Sequence, residues 1–161
     1  MKKLIIAFVT LACILGLSSF KKIVQKPAPQ ISIADTLQYP DEKHFKNIRQ
    51  LTFGGDNAEA YWSYDNKYIV FQKTNPKEGI FCDQIFVGKV PKKPGEKFIY
   101  KMVSTGKGRT TCPFFTKDGK YIIYASTHLA ADTCPPVPDR KKFGNKYIWP
   151  LYESYDIFMA N

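Results

Sequence analysis

Short runs of aromatic and β-branched residues recur along the chain, each after a turn and a lysine. Residues 68–74 read Tyr-Ile-Val-Phe-Gln-Lys-Thr, and residues 121–127 read Tyr-Ile-Ile-Tyr-Ala-Ser-Thr. Runs that are rich in these residues and bounded by turn residues predict β-strands. No segment after residue 18 has the 3.6-residue periodicity of an amphipathic helix. The pattern therefore predicts an all-β domain.

The two runs belong to an internal repeat, in which Asp118 follows its counterpart Asp65 by 53 residues. Four blocks recur in the same order in both copies, which is difficult to obtain by chance. Asp118-Gly119 and Asp65-Asn66 mark the turns, because Gly and Asn accept the positive φ that hairpin turns need. The matching blocks are 49–52 with 101–104, 60–63 with 113–116, 65–74 with 118–127, and 83–87 with 155–159.

Each copy is predicted to form an antiparallel sheet, and a unit of four short strands is typical of one β-propeller blade. Two blades alone would leave apolar faces and strand edges uncovered, since such repeats need about three or more neighbours. We therefore expect an incomplete propeller here, with further blades in a longer parent chain and residues 47–52 as an outer strand. The other predicted strands are 59–63, 67–74, 82–90, 98–104, 110–116, 120–127 and 152–160.

Three blocks, residues 49–55, 60–67 and 83–86, resemble the TolB-like, WD-repeat-like propeller repeat of bacterial envelope proteins. That repeat runs as Leu-Thr, a variable loop, an aromatic-Ser-Pro-Asp-Gly-Lys turn, a strand, and Asp-Ile-Tyr. The chain departs from it where Tyr64 replaces Pro, Asn66 replaces Gly and Gln84 replaces Asp. The resemblance covers residues 47–161 and implies four-stranded antiparallel blades, blade 1 at about 53–104 and a partial blade 2 at about 105–161.

The chain opens with the pattern of an export signal: two lysines, an apolar run over residues 4–17 and a small-x-small cleavage site at residues 16–18. The run is too short to cross about 30 Å of hydrocarbon as a helix. Residues 1–18 are therefore predicted to be a cleaved signal peptide. An uncleaved N-terminal anchor is the alternative, and it is the only contact with a membrane that we expect.

Cys13 raises the question of lipid attachment, but residues 10–12 read Thr-Leu-Ala, which is a poor lipobox, and the run stays apolar beyond the cysteine. Lipoprotein anchoring is therefore not expected. Residues 19–46 contain X-Pro steps and no hydrophobic period, which predicts a flexible tether. The repeat domain, residues 47–161, follows it.

The composition is that of a globular domain, with 44% hydrophobic and 15% aromatic residues in a chain of 161. The formal charge of +10 comes from scattered lysines, which is typical of a solvated surface. Because the chain is predicted to be exported, nucleic acid is not an expected partner. The sequence has no phosphate-binding loop and no Gly-x-Ser-x-Gly elbow, and we expect neither a cofactor nor a catalytic centre within these residues.

Three cysteines follow the signal segment, and an oxidising compartment favours pairing of two of them. Strand direction is expected to gather Cys82, Cys112 and Cys134 at one rim of the ring. The preferred bridge joins Cys112 to Cys134 and leaves Cys82 as the third thiol; Cys82 with Cys112 is the alternative. A metal site is not expected, because no Cys-x-x-Cys spacing occurs and His44 and His128 are far apart.

The second copy carries about 20 extra residues between its second and third strands, with a proline run, basic residues and aromatics. Long loops on a rigid scaffold are often functional. The aromatics either present flat surfaces to a peptide or sugar, or cover the blade edge. Charged loops between blades are expected near the channel mouth, where they either bind a ligand or bond the blades together. The candidate binding rim is Asp56, Asn57, Glu59, Arg109, Thr110, Trp149 and Tyr152.

These observations favour an exported, noncatalytic propeller that binds a protein, peptide or glycan in the periplasm or cell envelope of a Gram-negative bacterium. The resemblance implies envelope-complex assembly as the family theme. The alternative is the propeller portion of a serine peptidase similar to prolyl oligopeptidase, whose hydrolase domain lies outside this chain. A third hypothesis is glycan hydrolysis by carboxylates over the channel, with Asp56 and Glu59 as the pair.

Overall fold

The computed structural model describes residues 37–144 and 146–161. The predicted signal peptide, Cys13 and most of the tether therefore lie outside the described residues. Seven strands and two short 3-10 helices (Pro76–Glu78 and Arg140–Phe143) make up the regular structure of the described part, so the all-β prediction is confirmed. The strands are β1 Asp56–Trp62, β2 Tyr68–Asn75, β3 Ile80–Lys89, β4 Tyr100–Met102, β5 Thr110–Phe115, β6 Ile122–Ser126 and β7 Asp156–Ala160.

The strands form two antiparallel sheets in chain order, a first sheet β1-β2-β3-β4 and a second sheet β5-β6-β7. Each of the seven strands lies where the sequence pattern predicted one, although β4 and β7 are shorter than expected. The expected outer strand at 47–52 is wrong, because this segment is irregular. Its backbone has no ladder partner among the described residues, and its Leu51 instead packs against the first sheet.

The repeat extends to individual hydrogen bonds in the β1–β2 and β5–β6 turns. The Ser63 hydroxyl donates to Asp65 Oδ1 at 2.7 Å, and the Thr116 hydroxyl donates to Asp118 Oδ1 at 2.6 Å. In both turns the same carboxylate oxygen accepts the backbone N–H of the lysine two residues later at 3.1 Å. Short polar side chains that bond the local backbone are what stabilises such turns.

A β-bulge also recurs at the same place in each copy. The β1–β2 register shifts between Ala58 and Tyr61, and the β5–β6 register shifts between Thr111 and Phe114. Inside each bulge one residue has a left-handed backbone, Glu59 with φ 48° and Cys112 with φ 51°. Glu59 and Cys112 are 53 residues apart, the spacing of the repeat. A bulge bends its strand and redirects side chains.

The two sheets stack face to face around an apolar core. One face of the first sheet buries its side chains against the second sheet, and the opposite face of the first sheet is covered by an aromatic cluster of its own chain. The core between the sheets consists of Val70, Ile85, Phe115, Ile122 and Tyr124. The cluster on the opposite face consists of Ile69, Phe71 and Phe86, with Leu51, Phe98 and Tyr100 packed against them.

The sheets stack in the same sense, so that equivalent faces point in the same direction. Ile122 and Tyr124, which the second sheet presents to the first, are the repeat counterparts of Ile69 and Phe71 on the far face of the first sheet. Consequently, the outer face of the second sheet is equivalent to the buried inner face of the first. Its residues are exposed: Ile123 by 40%, Ile157 by 72% and Met159 by 63%.

A buried glutamine joins the first sheet to the connection between the sheets. Gln84 Nε2 donates to the carbonyl of Gly108 at 2.9 Å, while Gln84 Oε1 accepts from the Ser104 hydroxyl at 2.7 Å and from the Gly106 N–H at 3.1 Å. Gly108 has φ 59°, and a Cβ at this residue would lie 2.7 Å from the backbone nitrogen of His128. The connection is therefore fixed by hydrogen bonds and by a close backbone approach.

A lysine lies within the aromatic cluster of the first sheet. The Lys73 side chain is fully buried, and its Nζ donates to Glu78 Oε2 and to the Tyr100 hydroxyl, both at 2.7 Å. The ammonium also lies 4.8 Å from the centre of the Tyr100 ring. Burial by itself would lower the pKa of Lys73, but the hydrogen bonds to Glu78 and Tyr100 outweigh burial and raise that pKa.

The stacking can be tested with one truncation in each sheet at equivalent positions. Val70→Ala is expected to lower the free energy of unfolding by about 2 kcal/mol, because Val70 is fully buried between the sheets. Ile123→Ala removes more carbon atoms but is expected to cost less than about 1 kcal/mol, because Ile123 is partly exposed. Urea unfolding followed by circular dichroism gives both values. Equal losses would contradict the stacking described.

The repeated turns predict an acid dependence of stability. Hydrogen bonds from Ser63 and Lys67 lower the pKa of Asp65 from 3.8 to about 2, and Thr116 and Lys120 lower the pKa of Asp118 in the same way. A lowered native pKa stabilises the fold above the unfolded pKa, and this stabilisation is lost as the pH falls through the native value.

The variant Asp65→Asn/Asp118→Asn is therefore expected to be less stable than the native chain at neutral pH and to lose less stability between pH 3.8 and pH 2. Urea midpoints measured across this range test the expectation. Asp41→Asn is the control, because the Asp41 side chain makes no hydrogen bond within the described part of the chain. Parallel midpoint curves for all three proteins would show that the turns do not contribute.

Candidate ligand-binding pocket

A cavity of about 290 Å³ lies where β1, β2, β3 and β5 meet the loop that connects β6 and β7 (residues 127–155, the β6–β7 loop). The two sheets provide its floor, which is polar. The β6–β7 loop provides its roof, which consists mainly of proline and aromatic side chains. The floor consists of Glu59, Gln72, Asp83, Arg109 and Thr111, and the main roof residues are Pro138, Tyr147, Trp149 and Pro150.

An ion pair on the floor joins β3 to the residue that directly precedes β5. Arg109 Nη1 donates to Asp83 Oδ2 at 3.0 Å, and each side chain is about one-fifth exposed. Asp83 Oδ1 accepts from the Thr74 hydroxyl at 2.6 Å, and the Asp83 carbonyl accepts from the Thr110 hydroxyl at 2.9 Å. A partly buried, hydrogen-bonded pair of this kind positions both groups firmly.

The guanidinium of Arg109 is only partly satisfied. Its Nε is buried and has no hydrogen-bond partner among the described residues. An unsatisfied buried donor costs about 1–3 kcal/mol, and such groups in native structures are few. Arg109 lines the cavity, so this unsatisfied buried atom belongs to a side chain of the cavity wall.

The bulge in β1 places Glu59 at the cavity. Its carboxylate accepts a hydrogen bond from the Tyr61 hydroxyl at 2.6 Å, and this bond raises the pKa of Tyr61. Beside it, Gln72 Oε1 accepts from the Thr111 hydroxyl at 3.0 Å and from the Cys112 N–H at 3.3 Å. The Gln72 amide nitrogen has no partner in the part of the chain that the structure describes. The floor thus presents both donors and acceptors.

The aromatic roof is open to solvent. Trp149 is 59% exposed and Tyr147 is 76% exposed, and the Arg140 guanidinium lies 5.7 Å from the Tyr147 ring centre. Most of the ring surface of these two residues therefore remains accessible. Tyr152 instead holds the loop, since its hydroxyl donates to the carbonyl of Pro136 at 2.9 Å.

The structure brings three of the seven predicted rim residues to the cavity: Glu59, Arg109 and Trp149. The other four do not line it. Asp56 pairs with Thr74 at the start of β1, and Asn57 Nδ2 donates to the Gly54 carbonyl at 3.2 Å. Thr110 is buried and its hydroxyl donates to the Asp83 carbonyl, while the Tyr152 hydroxyl donates to the Pro136 carbonyl within the loop.

Three polar residues of the cavity, Gln72, Asp83 and Tyr155, lie outside the loops that the sequence indicated as candidate binding segments. Asp83 and Tyr155 occupy equivalent positions in matching strands of the repeat. The difference in chemistry between these two residues is the signal in the sequence that marks the position as one with a role besides folding. Burial raises the pKa of Tyr155, and the nearby Asp83 adds to this effect while Arg109 opposes it.

The disulfide pairing differs from both expectations. The bridge joins Cys82 to Cys134, with 5.7 Å between their Cα atoms, and Cys112 is an exposed free thiol. The predicted Cys112–Cys134 bridge and the alternative Cys82–Cys112 bridge are therefore wrong. The reason is the second bulge, which places Cys112 in a left-handed conformation with its Sγ 3.3 Å from the Thr111 hydroxyl. Strand direction gives the position of Cys112 correctly only where the strand is regular, and β5 is not regular at this residue.

The bridge ties the β6–β7 loop, and with it the roof of the cavity, to β3 of the first sheet. It closes a separation of 52 residues, so Cys82→Ser/Cys134→Ser is expected to lower the free energy of unfolding by about 4 kcal/mol. We also expect Trp149 to become more accessible to acrylamide quenching. Cys112→Ser is the control and is expected to change neither value. A free Cys134 in nonreduced peptide maps would contradict the pairing.

A structural disulfide indicates folding in an oxidising compartment, which agrees with an exported protein. Among residues 37–144 and 146–161, the structure has no helix of the length and apolar character needed to cross a membrane. Comparison of the chain with protein-family models, with curated proteins and with solved structures found no match.

Proposed function

We propose that this protein is an exported, noncatalytic binding protein of the bacterial cell envelope, and that its sheets are blades of a TolB-like β-propeller. The cavity between the sheets and the β6–β7 loop is its ligand site, for a peptide, a protein segment or a glycan. One observation carries the proposal: a polar floor with an ion pair, built by two sheets, faces exposed aromatic rings on a long inserted loop.

The stacking of the sheets supports the propeller part of the proposal. Both sheets have strands in simple chain order, and both turn equivalent faces in the same direction. This head-to-tail arrangement is the one that can continue through further copies and close into a ring. The exposed Ile123, Ile157 and Met159 are counterparts of the inner-face positions that the second sheet covers in the first.

The state of the carboxylates favours binding over catalysis. Asp83 is engaged by Arg109 and Thr74, and Glu59 is engaged by Tyr61. Glycan hydrolysis needs two carboxyl groups that face each other across the substrate. Asp56, the expected partner of Glu59, does not line the cavity. The peptidase alternative rests on the resemblance of the repeat alone.

The proposal is tested by titrating the purified protein with two panels of probes: tripeptides with free or amidated carboxyl ends, and oligosaccharides of two or three units. At least one probe is expected to bind, measured by calorimetry, and mass spectrometry is expected to recover it unchanged. Trp149→Ala and Arg109→Ala are each expected to weaken binding roughly tenfold or more. Circular dichroism checks that both variants are folded.

Leu151→Ala is the matched control, because Leu151 lies on the same loop and is largely exposed but does not line the cavity. This variant is expected to bind as the native chain does. The proposal fails if no probe binds, if Trp149→Ala and Arg109→Ala bind with native affinity, or if the bound probe is cleaved.

A further inference from the structure

We propose that the ligand of this cavity is a neutral saccharide, a class that the binding site selects over peptides. This inference rests on the proposed function, which places the ligand in the same cavity. It is carried by three features of the described residues: the density of polar groups on the floor, the flat apolar roof, and the irregular strand edge beside Glu59.

The floor concentrates hydrogen-bonding groups of both kinds within a small volume. Gln72 has an amide nitrogen without a partner among the described residues, Glu59 has a carboxylate that Tyr61 engages through one oxygen, and the partly exposed guanidinium of Arg109 lines the same floor. A ligand that fits must supply several donors and acceptors close together. Adjacent hydroxyl groups on a sugar ring do so, whereas a peptide supplies one N–H and one carbonyl per residue.

The charges of the cavity favour a neutral ligand. On the floor, Asp83 is compensated by Arg109 at 3.0 Å. Of the other two charged residues that line the cavity, Glu59 is acidic and Arg140 is basic, so the formal charges cancel. A site for an acidic glycan or for a free carboxylate would instead need a surplus of cations.

The roof presents flat, apolar surfaces opposite these polar groups. Trp149 is half-exposed at the cavity, which Pro138 and Pro150 also line. A pyranose ring has one face of C–H groups, which stacks on an indole ring while the hydroxyls at its rim remain free for hydrogen bonds. The cavity of about 290 Å³ lies at the small end of ligand sites and suits one such ring.

The strand edge beside the cavity does not suit the main-chain recognition of a peptide. Extended peptides bind by adding a strand to a regular sheet edge. β1 has a free edge among the described strands, but the bulge at Glu59, with φ 48°, interrupts its ladder where the strand meets the cavity. A bulge of this kind blocks strand addition, so a peptide would lose the hydrogen bonds on which that mode depends.

The test uses the variant Trp62→Phe, which leaves Trp149 as the only tryptophan of the chain. Trp62 does not line the cavity. Maltotriose, cellotriose, mannotriose and tri-N-acetylglucosamine serve as neutral probes, trigalacturonate as an acidic probe, and trialanine and Gly-Leu-Gly, which do not fluoresce, as peptide probes. At least one neutral saccharide is expected to shift the Trp149 emission with a Kd on the order of 1 mM or tighter.

Calorimetry is expected to show that Trp149→Ala weakens this binding roughly tenfold or more, while Gln72→Ala weakens it and Leu151→Ala does not. Peptide binding that depends on Trp149, without saccharide binding, would overturn the saccharide inference and leave the proposed function standing. Tighter binding of trigalacturonate than of every neutral probe would overturn the neutral class. If no saccharide and no peptide binds, the inference and the proposed function fall together.

Discussion

The contact between the two sheets is the constraint on which the rest of this structure depends. A single antiparallel sheet has no interior, so its apolar residues are buried only when another layer covers them. Val70 and Ile85 in the first sheet are covered by residues of the second. The cavity depends on the same contact, because Asp83 on its floor comes from β3 of the first sheet and Arg109 directly precedes β5 of the second. A shift of the sheets would therefore separate this ion pair as well as open the core.

Apolar contact does not by itself fix how two sheets are oriented, and polar side chains at the start of β3 supply that restraint. Asp83 and Gln84 are neighbours whose side chains point to opposite sides of the strand. Asp83 meets Arg109 at the cavity, while Gln84 bonds the connection between the sheets at Gly108. Because Gln84 is buried, each of its bonds would be costly to lose. The resemblance predicted Asp at this position, and the longer amide reaches the connection instead.

The strands were predictable because the residues that determine them are neighbours in the sequence. Runs of aromatic and β-branched residues, as in 68–74, are bounded by turn residues such as Asp118-Gly119. The bulges were not predictable, because Glu59 and Cys112 are not residue types that signal a left-handed backbone. The error in disulfide pairing follows directly from the second bulge. Glu59, Arg109 and Trp149 were identified from charge and ring chemistry, whereas Gln72 and Asp83 reach the cavity only through strand register.

The cavity draws on positions at which the two copies of the repeat differ. Phe86 and Phe158 are equivalent and alike, and both pack in apolar clusters of the sheets. Four equivalent pairs that differ in chemistry contribute residues to the cavity, and the β6–β7 loop is the largest difference between the copies. A demand for stacking acts on both copies alike, but a single ligand site needs its groups only once. In three of the differing pairs only one residue lines the cavity: Glu59 (counterpart Cys112), Arg109 (counterpart Asp56) and Gln72 (counterpart Ala125). In the fourth pair, Asp83 and Tyr155, both residues line it.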